Sequence, residues 1–233
     1  MSGTIINFAA ILIGGFIGLL LGSRLADRVK RTVICGLGLF TLGYGISLFL
    51  KTSNSLIVLG AILIGILLGE WWRIEEGIEQ LAIWLEKKFN KSEGSNGKEK
   101  FIKGFLTTTL LFCIGPMAIL GSIENGLTGN INTLVVKSIL DGFAAMAFAS
   151  SLGVGVLFSS LTVLVYQGSI SLLAAQVQSF VTTDMMNELT AAGGIILTAI
   201  AISSLLEIKK IRTASFLPAL LVAPLIVWII SLF

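Results

Sequence analysis

The sequence predicts an all-α integral membrane protein of about eight transmembrane helices, read as a single membrane domain. Three observations carry this. Of the 233 residues, 55% are hydrophobic and 12% charged, about half the charged share of an ordinary soluble domain. Apolar stretches near the ~20 residues that cross a bilayer recur along the whole chain. The basic residues gather in three connections that one orientation can place on one side.

The stretches fall at about 4–22, 33–50, 55–72, 103–122, 134–151, 154–175, 191–206 and 214–232. Connection 23–32 carries Arg24, Arg28, Lys30 and Arg31. Residues 73–103 carry Arg73, Lys87, Lys88, Lys91, Lys98, Lys100 and Lys103, and 207–213 carry Lys209, Lys210 and Arg212. The positive-inside rule makes all three cytoplasmic. Eight spans satisfy them together, with both termini outside and only Lys51 on the outer connections.

The first span opens on Met-Ser-Gly-Thr-Ile-Ile-Asn, without the basic region of a cleaved signal peptide, and reads as a retained helix. Gly14, Gly18 and Gly22 recur at four-residue steps, a small-residue seam that lets another backbone approach closely. The second span holds Gly36, Gly38, Gly43 and Gly45, and the third repeats the seam at Gly65 and Gly69. Cys35 and Cys113 sit in apolar segments and read as small buried hydrophobes.

Residues 70–90 read as an amphipathic helix continuing from the third span. Trp71, Ile74, Ile78, Leu81 and Leu85 form one face against Glu75, Glu76, Glu79 and Glu86. Trp71, Trp72 and Trp84 suit the headgroup region. Residues 91–100 are a polar, flexible linker between a first unit, 1–90, and a five-helix unit, 101–233.

Gly115-Pro116 interrupts the fourth span, because proline removes a backbone hydrogen bond and clashes with the preceding turn. The freed carbonyls near Phe112 and Cys113 then need partners, for which Thr107, Thr108 and Thr109 offer hydroxyls. The arm beyond the break ends in Ser122, Glu124 and Asn125, with Glu124 read as a solvated loop charge.

The fifth span places Lys137, Asp141, Ala145, Ala149 and Gly153 at four-residue steps, so they share one face. Ionisable residues at that depth cost at least about 2.5 kcal/mol each and are usually functional. Two readings stand. The pair stitches helices together, or Asp141 coordinates a cation or carries a proton with Lys137 as the competing charge. The sixth span carries Ser159, Ser160, Tyr166, Gln167 and Ser169, and Gln167 either bonds across helices or faces a pore. Asp184 and Glu188 read as a solvated outer turn. Pro218 and Pro224 make the last span irregular.

The first and fourth spans both end in Leu-Gly-Ser, at 21–23 and 120–122. They run in opposite senses, which suggests a 3+3 inverted repeat plus two C-terminal helices, a plan common in transporters.

Several function classes drop out. With no histidine, a histidine proton relay, metal site or triad is excluded. No phosphate loop, dinucleotide fingerprint, metal-ligand cluster or nucleophile elbow occurs, so no enzyme activity and no cofactor are expected. The net charge of +3 follows membrane topology and is no nucleic-acid footprint.

The run Cys113-Ile-Gly-Pro-Met-Ala-Ile-Leu-Gly-Ser-Ile-Glu-Asn-Gly-Leu, then Lys137-Ser-Ile-Leu-Asp-Gly-Phe-Ala-Ala, resembles the family known as domain of unknown function 554. So do Gly153-Val-Gly-Val-Leu-Phe-Ser, Tyr166-Gln-Gly, Ile208-Lys-Lys-Ile-Arg and Leu217-Pro-Ala-Leu-Leu-Val-Ala-Pro. The resemblance covers nearly the whole chain. It implies a bacterial inner-membrane protein of the kind labelled a transporter, with no assigned substrate. It favours Gly115, Pro116, Glu124, Lys137 and Asp141 as site residues.

The expected function is therefore a transporter or channel for a small ion or solute, a monovalent cation or proton first. Its site lies between the fourth, fifth and sixth spans, with Asp141 at the centre and Ser122, Tyr166 and Gln167 as polar ligands. The competing expectation is a scaffold or sensor whose glycine seams bind a partner, a second copy of the chain included. The bilayer is the expected partner in either case.

Overall fold

The computed structural model describes residues 1–89, 95–176 and 181–232, without the side chains of a few of them, Pro116 among these. No strand occurs among the described residues. The helices are α1 (Ser2–Gly22), α2 (Asp27–Phe49), α3 (Ser55–Trp71), α4 (Ile74–Phe89), α5 (Ser95–Ile114), α6 (Pro116–Thr128), α7 (Asn132–Leu152), α8 (Gly155–Leu172), α9 (Thr183–Ile200) and α10 (Ala219–Ile230). A π turn, Ala201–Leu205, extends α9, and a 3-10 turn, Thr213–Phe216, precedes α10.

Six spans among the described residues are long and apolar enough to cross a bilayer, and the number rises to eight when each of two bent pairs counts as one span. The bent pairs are α3 with the start of α4, at 57°, and α5 with α6, at 59°. The chain is a multi-pass membrane protein.

Contacts group the chain into two compact units, Met1–Leu37 with Leu81–Phe180, and Gly38–Gln80 with Val181–Phe233. Each draws on residues before and after 91–100.

In the first unit, α1 lies along α7 with almost no side-chain spacing. A Cβ on Gly14 would stand 2.0 Å from the Gly142 carbonyl oxygen, one on Gly18 2.2 Å from that of Met146, and one on Gly22 2.4 Å from that of Ser150. The contacts advance in the same order along both helices, so α1 and α7 run parallel. Near the start of α5, Phe101 and Phe105 pack with Val154 and Phe158, and the Phe101 and Phe158 rings meet at 5.3 Å.

The second unit uses the same device. Gly45 of α2 and Gly194 of α9 approach each other directly, with a Cβ on Gly194 only 2.4 Å from the Gly45 oxygen. Gly65 and Gly69 of α3 admit the backbones of Ala219 and Ser215. Val58, Ala61, Ala191, Ala192, Val222 and Ala223 form the core between these helices. With Thr183–Leu205 two-thirds buried, at 67%, α9 is the central span of this unit.

Several expectations are corrected. The amphipathic stretch does not continue the third span: the chain breaks at Trp72 and Arg73, where Arg73 takes φ 52°. The break is held by charge. Arg212 reaches Glu70 at 2.7 Å and Glu76 at 2.5 Å, Ser215 Oγ donates to Glu70, and the Ala214 amide donates to Glu75. Trp71, Trp72 and Trp84 are exposed, whereas the side chains of Leu81, Leu85 and Glu86 lie outside the described residues. In the expected linker, residues 95–100 are the first turns of α5, where Lys98, Glu99 and Lys100 are good helix formers. Residues 91–94 lie outside the described residues.

Asp184 and Glu188 belong to α9, which starts eight residues before the expected span because Thr182 caps it through the Met185 amide at 3.2 Å. Glu188 is no solvated turn charge. It is 1% exposed and accepts from Thr52 Oγ1 at 2.6 Å, the Ser53 amide at 2.8 Å and the Asn54 amide at 3.0 Å. These donors come from the connection that precedes α3, which no local sequence pattern reveals. Cys35 is exposed and Cys113 half-buried, so neither is a core residue.

Candidate functional site

The polar centre of the first unit is built on the α1–α7 seam. Asn7 precedes Gly14 by seven residues, two helical turns, and so lies on the seam face of α1. Close backbone approach at the seam carries the Asn7 side chain, 0% exposed, to α7. Its Nδ2 donates to Asp141 Oδ2 at 3.0 Å and to Gln167 Oε1 of α8 at 3.3 Å.

Lys137, one turn before Asp141 on α7, donates its ammonium to the same Oδ2. Both partners are buried. The Lys137 ammonium also stands 5.9 Å from the centroid of the Phe112 ring, so the last turn of α5 borders the pair. That turn leaves carbonyls without intrahelical donors, since α5 stops at Ile114 and α6 restarts at Pro116. Gly115 supplies the extended joint, φ −68° and ψ 145°, and its carbonyl accepts from the Ala118 amide at 3.0 Å.

Asn7 Oδ1 and Gln167 Nε2 of this centre have no hydrogen-bond partner among the described residues. A buried polar group left unpaired costs about 1–3 kcal/mol. The arrangement therefore offers an unused oxygen beside a carboxylate, and an unused amide donor across from it. The charges of Lys137 and Asp141 balance, so the resting centre is neutral.

The structure brings Lys137, Asp141 and Gln167 together and adds Asn7 and Phe112. Ser122 stays outside the cluster: its hydroxyl donates to the Ala118 carbonyl at 2.6 Å, and its carbonyl accepts from Ser171 Oγ at 2.9 Å. Glu124 is tied to the turn after α6, accepting from Asn130 Nδ2 at 2.7 Å and Thr133 Oγ1 at 2.8 Å. Tyr166 is half-buried beside Gln167 and makes no hydrogen bond to the cluster. Gly115 and Pro116 form the break itself. Of the threonines, Thr108 bonds back to Gly104, whereas the Thr107 and Thr109 hydroxyls have no partner among the described residues, so none is seen to serve the freed carbonyls.

Ala145 and Ala149 are buried on α7 one and two turns below Asp141. Gly153 is no packing contact: it ends α7 at φ 84°, and nothing lies within 4 Å of where its Cβ would be. With ψ −158° this is an extended conformation of positive φ, which glycine enters at no steric cost. Asn125, 3% exposed on α6, has no partner for either side-chain polar atom among the described residues.

Asn7 is not among the residues singled out from the sequence, although it carries a signal: it is the one amide side chain of an apolar span, in phase with the glycines. Phe112 carries no comparable signal. No group of three or more metal-ligating side chains occurs among the described residues.

Comparison with known proteins agrees on one family. The family model described as "Protein of unknown function (DUF554)" matches residues 2–228. The chain is 35% identical over 221 residues to "Uncharacterized protein YqgA" of Escherichia coli (strain K12), covering 95% of this chain and 94% of the relative. It is 32% identical over 237 residues to "Uncharacterized membrane protein YdfK" of Bacillus subtilis (strain 168), covering 100% and 98%. No solved structure matches.

Proposed function

The chain belongs to the DUF554 family of proteins of unknown function, and from that premise we propose that it is a transporter or channel for a small ion, a monovalent cation or a proton. The observation that carries the reading is the unpartnered Asn7 Oδ1 on the very carboxamide that binds Asp141. Oxygen atoms without a donor, one of them beside a carboxylate, suit a hard cation. The α5 break adds to this, since its C-terminal carbonyls carry the negative end of a half-helix, the arrangement that holds sodium or protons in transporters with discontinuous helices.

Lys137 is the resident competitor in this scheme. Its ammonium holds the carboxylate while the site is empty. An arriving cation displaces it, and a proton on Asp141 releases it. Either event shifts a buried charge pair, which couples occupancy to the packing of α7 against α1. A single carboxylate favours a monovalent over a divalent ion.

The proposed setting is a bacterial inner membrane, with connections 23–32, 73–103 and 207–213 cytoplasmic and both termini outside. The scaffold reading is weakened because the seams at Gly14, Gly18, Gly22, Gly65 and Gly69 are filled by other helices of the same chain.

Binding tests the proposal. The purified protein is melted in sodium, potassium or choline chloride at constant ionic strength, and across a pH series. One alkali cation, or protons, raises the melting temperature of the wild type and leaves Asp141→Asn unmoved. Equal responses of the two proteins would refute an ion site at Asp141.

A further inference from the structure

A second site lies at the other end of the α1–α7 seam. Between the ends of α1 and α7, the start of α2 and the start of α5 is a cavity of about 290 Å³. The part of its wall on α7 begins at Ala149, eight residues and so roughly 12 Å along the helix from Asp141. It is therefore separate from the ion centre.

The wall divides into two kinds of surface. Lys30 and Lys100 line it as the two cationic residues, beside Ser151 and Ser23, whose hydroxyl donates to the Leu20 carbonyl at 2.7 Å. Leu19 and Phe101 supply an apolar side. The Lys30 charge is barely engaged, standing 4.0 Å from an Asp27 carboxylate whose side chain is 88% exposed. The Lys100 side chain is exposed. Both lysines belong to connections that the positive-inside rule sends to the cytoplasm.

Position chooses between ligands. The cavity opens where two spans, α1 and α7, end together, the level at which lipid headgroups stand. A free anion would use the lysines and leave the apolar side bare. A phospholipid uses both, with its phosphate against the lysines and its glycerol and first methylenes along Leu19 and Phe101. Basic pockets between transmembrane helices on the cytoplasmic side bind anionic headgroups in this way.

We propose that this cavity holds the phosphate of an anionic phospholipid. The lipid bridges the inner ends of α1 and α7 to the starts of α2 and α5, and fastens the seam from below. No bond is made or broken.

The test uses the full chain in a neutral detergent with added phosphatidylglycerol, counting bound lipid by native mass spectrometry. Lys30→Gln/Lys100→Gln is compared with Lys209→Gln/Lys210→Gln, which removes the same charge from an exposed basic connection. Each lysine near a membrane surface contributes roughly fivefold, so the first pair weakens binding about thirtyfold. The second pair, which is not in the wall of the cavity, weakens binding far less. Phosphatidylcholine binds weakly to all three proteins, and melting temperatures confirm that each is folded. Equal losses in the two double variants would overturn the proposal in favour of diffuse charge attraction. Displacement of the lipid by millimolar inorganic phosphate would overturn it in favour of a soluble anion.

Discussion

The carboxamide of Asn7 donates to Oδ2 of Asp141 at 3.0 Å across 134 residues of sequence. This bond exists because, beyond Ile11, glycines recur at four-residue steps along the face that carries Asn7. Gly14, Gly18 and Gly22 bring α1 so close to α7 that a side chain as short as asparagine reaches a buried carboxylate. Seam and site are thus one construction, and most predictions follow from that.

Gly14→Ala and Gly18→Ala each place a methyl group inside the van der Waals shell of an α7 carbonyl. Overpacking of this kind costs about 1–3 kcal/mol, and more where backbone must move. Gly36→Ala and Gly43→Ala, where nothing lies within 4 Å, stay within about 0.5 kcal/mol of the wild type. Denaturant unfolding of the four variants in one detergent checks the contrast. Equal destabilisation at all four positions would contradict the close α1–α7 contact.

Lys137→Met leaves the Asp141 carboxylate buried without its charge partner, at a cost of about 3–5 kcal/mol. Adding Asp141→Asn removes the stranded charge and restores a large part of that loss. A double-mutant cycle on unfolding free energies measures the coupling. Simple additivity of the two changes would show that the residues do not pair.

Glu188→Gln takes the charge from an acceptor of three hydrogen bonds that fixes residues 52–54. The expected loss is about 1–3 kcal/mol. Asp184→Asn, one turn earlier and exposed, changes stability by less than about 0.5 kcal/mol. Thermal unfolding of the two variants decides it, and a Glu188→Gln protein as stable as the wild type would remove Glu188 from its structural role.

Much of this architecture is legible in the sequence because its causes are local. The spans follow from runs of apolar residues, the α5–α6 break from Gly115-Pro116, and the shared face of Lys137 and Asp141 from four-residue spacing. What stays hidden depends on which helices meet. Glu188 looks like a solvated turn until the 52–54 backbone is seen to enclose it. Ser122 looks like a ligand until its own helix is seen to occupy its hydroxyl, and Glu124, a loop charge by its setting, is held by Asn130 and Thr133. Asn7 is intermediate: its phase with the glycines was readable, but its reach to Asp141 and Gln167 depends on α1, α7 and α8 meeting.

The most direct test of the central claim is flux in proteoliposomes, with sodium, potassium and protons followed separately for wild type, Asp141→Asn and Asn7→Leu. The account predicts that wild type carries one of these ions, that Asp141→Asn carries none, and that Asn7→Leu is slowed at least tenfold while both variants remain folded. Unchanged flux in Asp141→Asn, or no flux of any of the three ions in well-folded wild type, would contradict it.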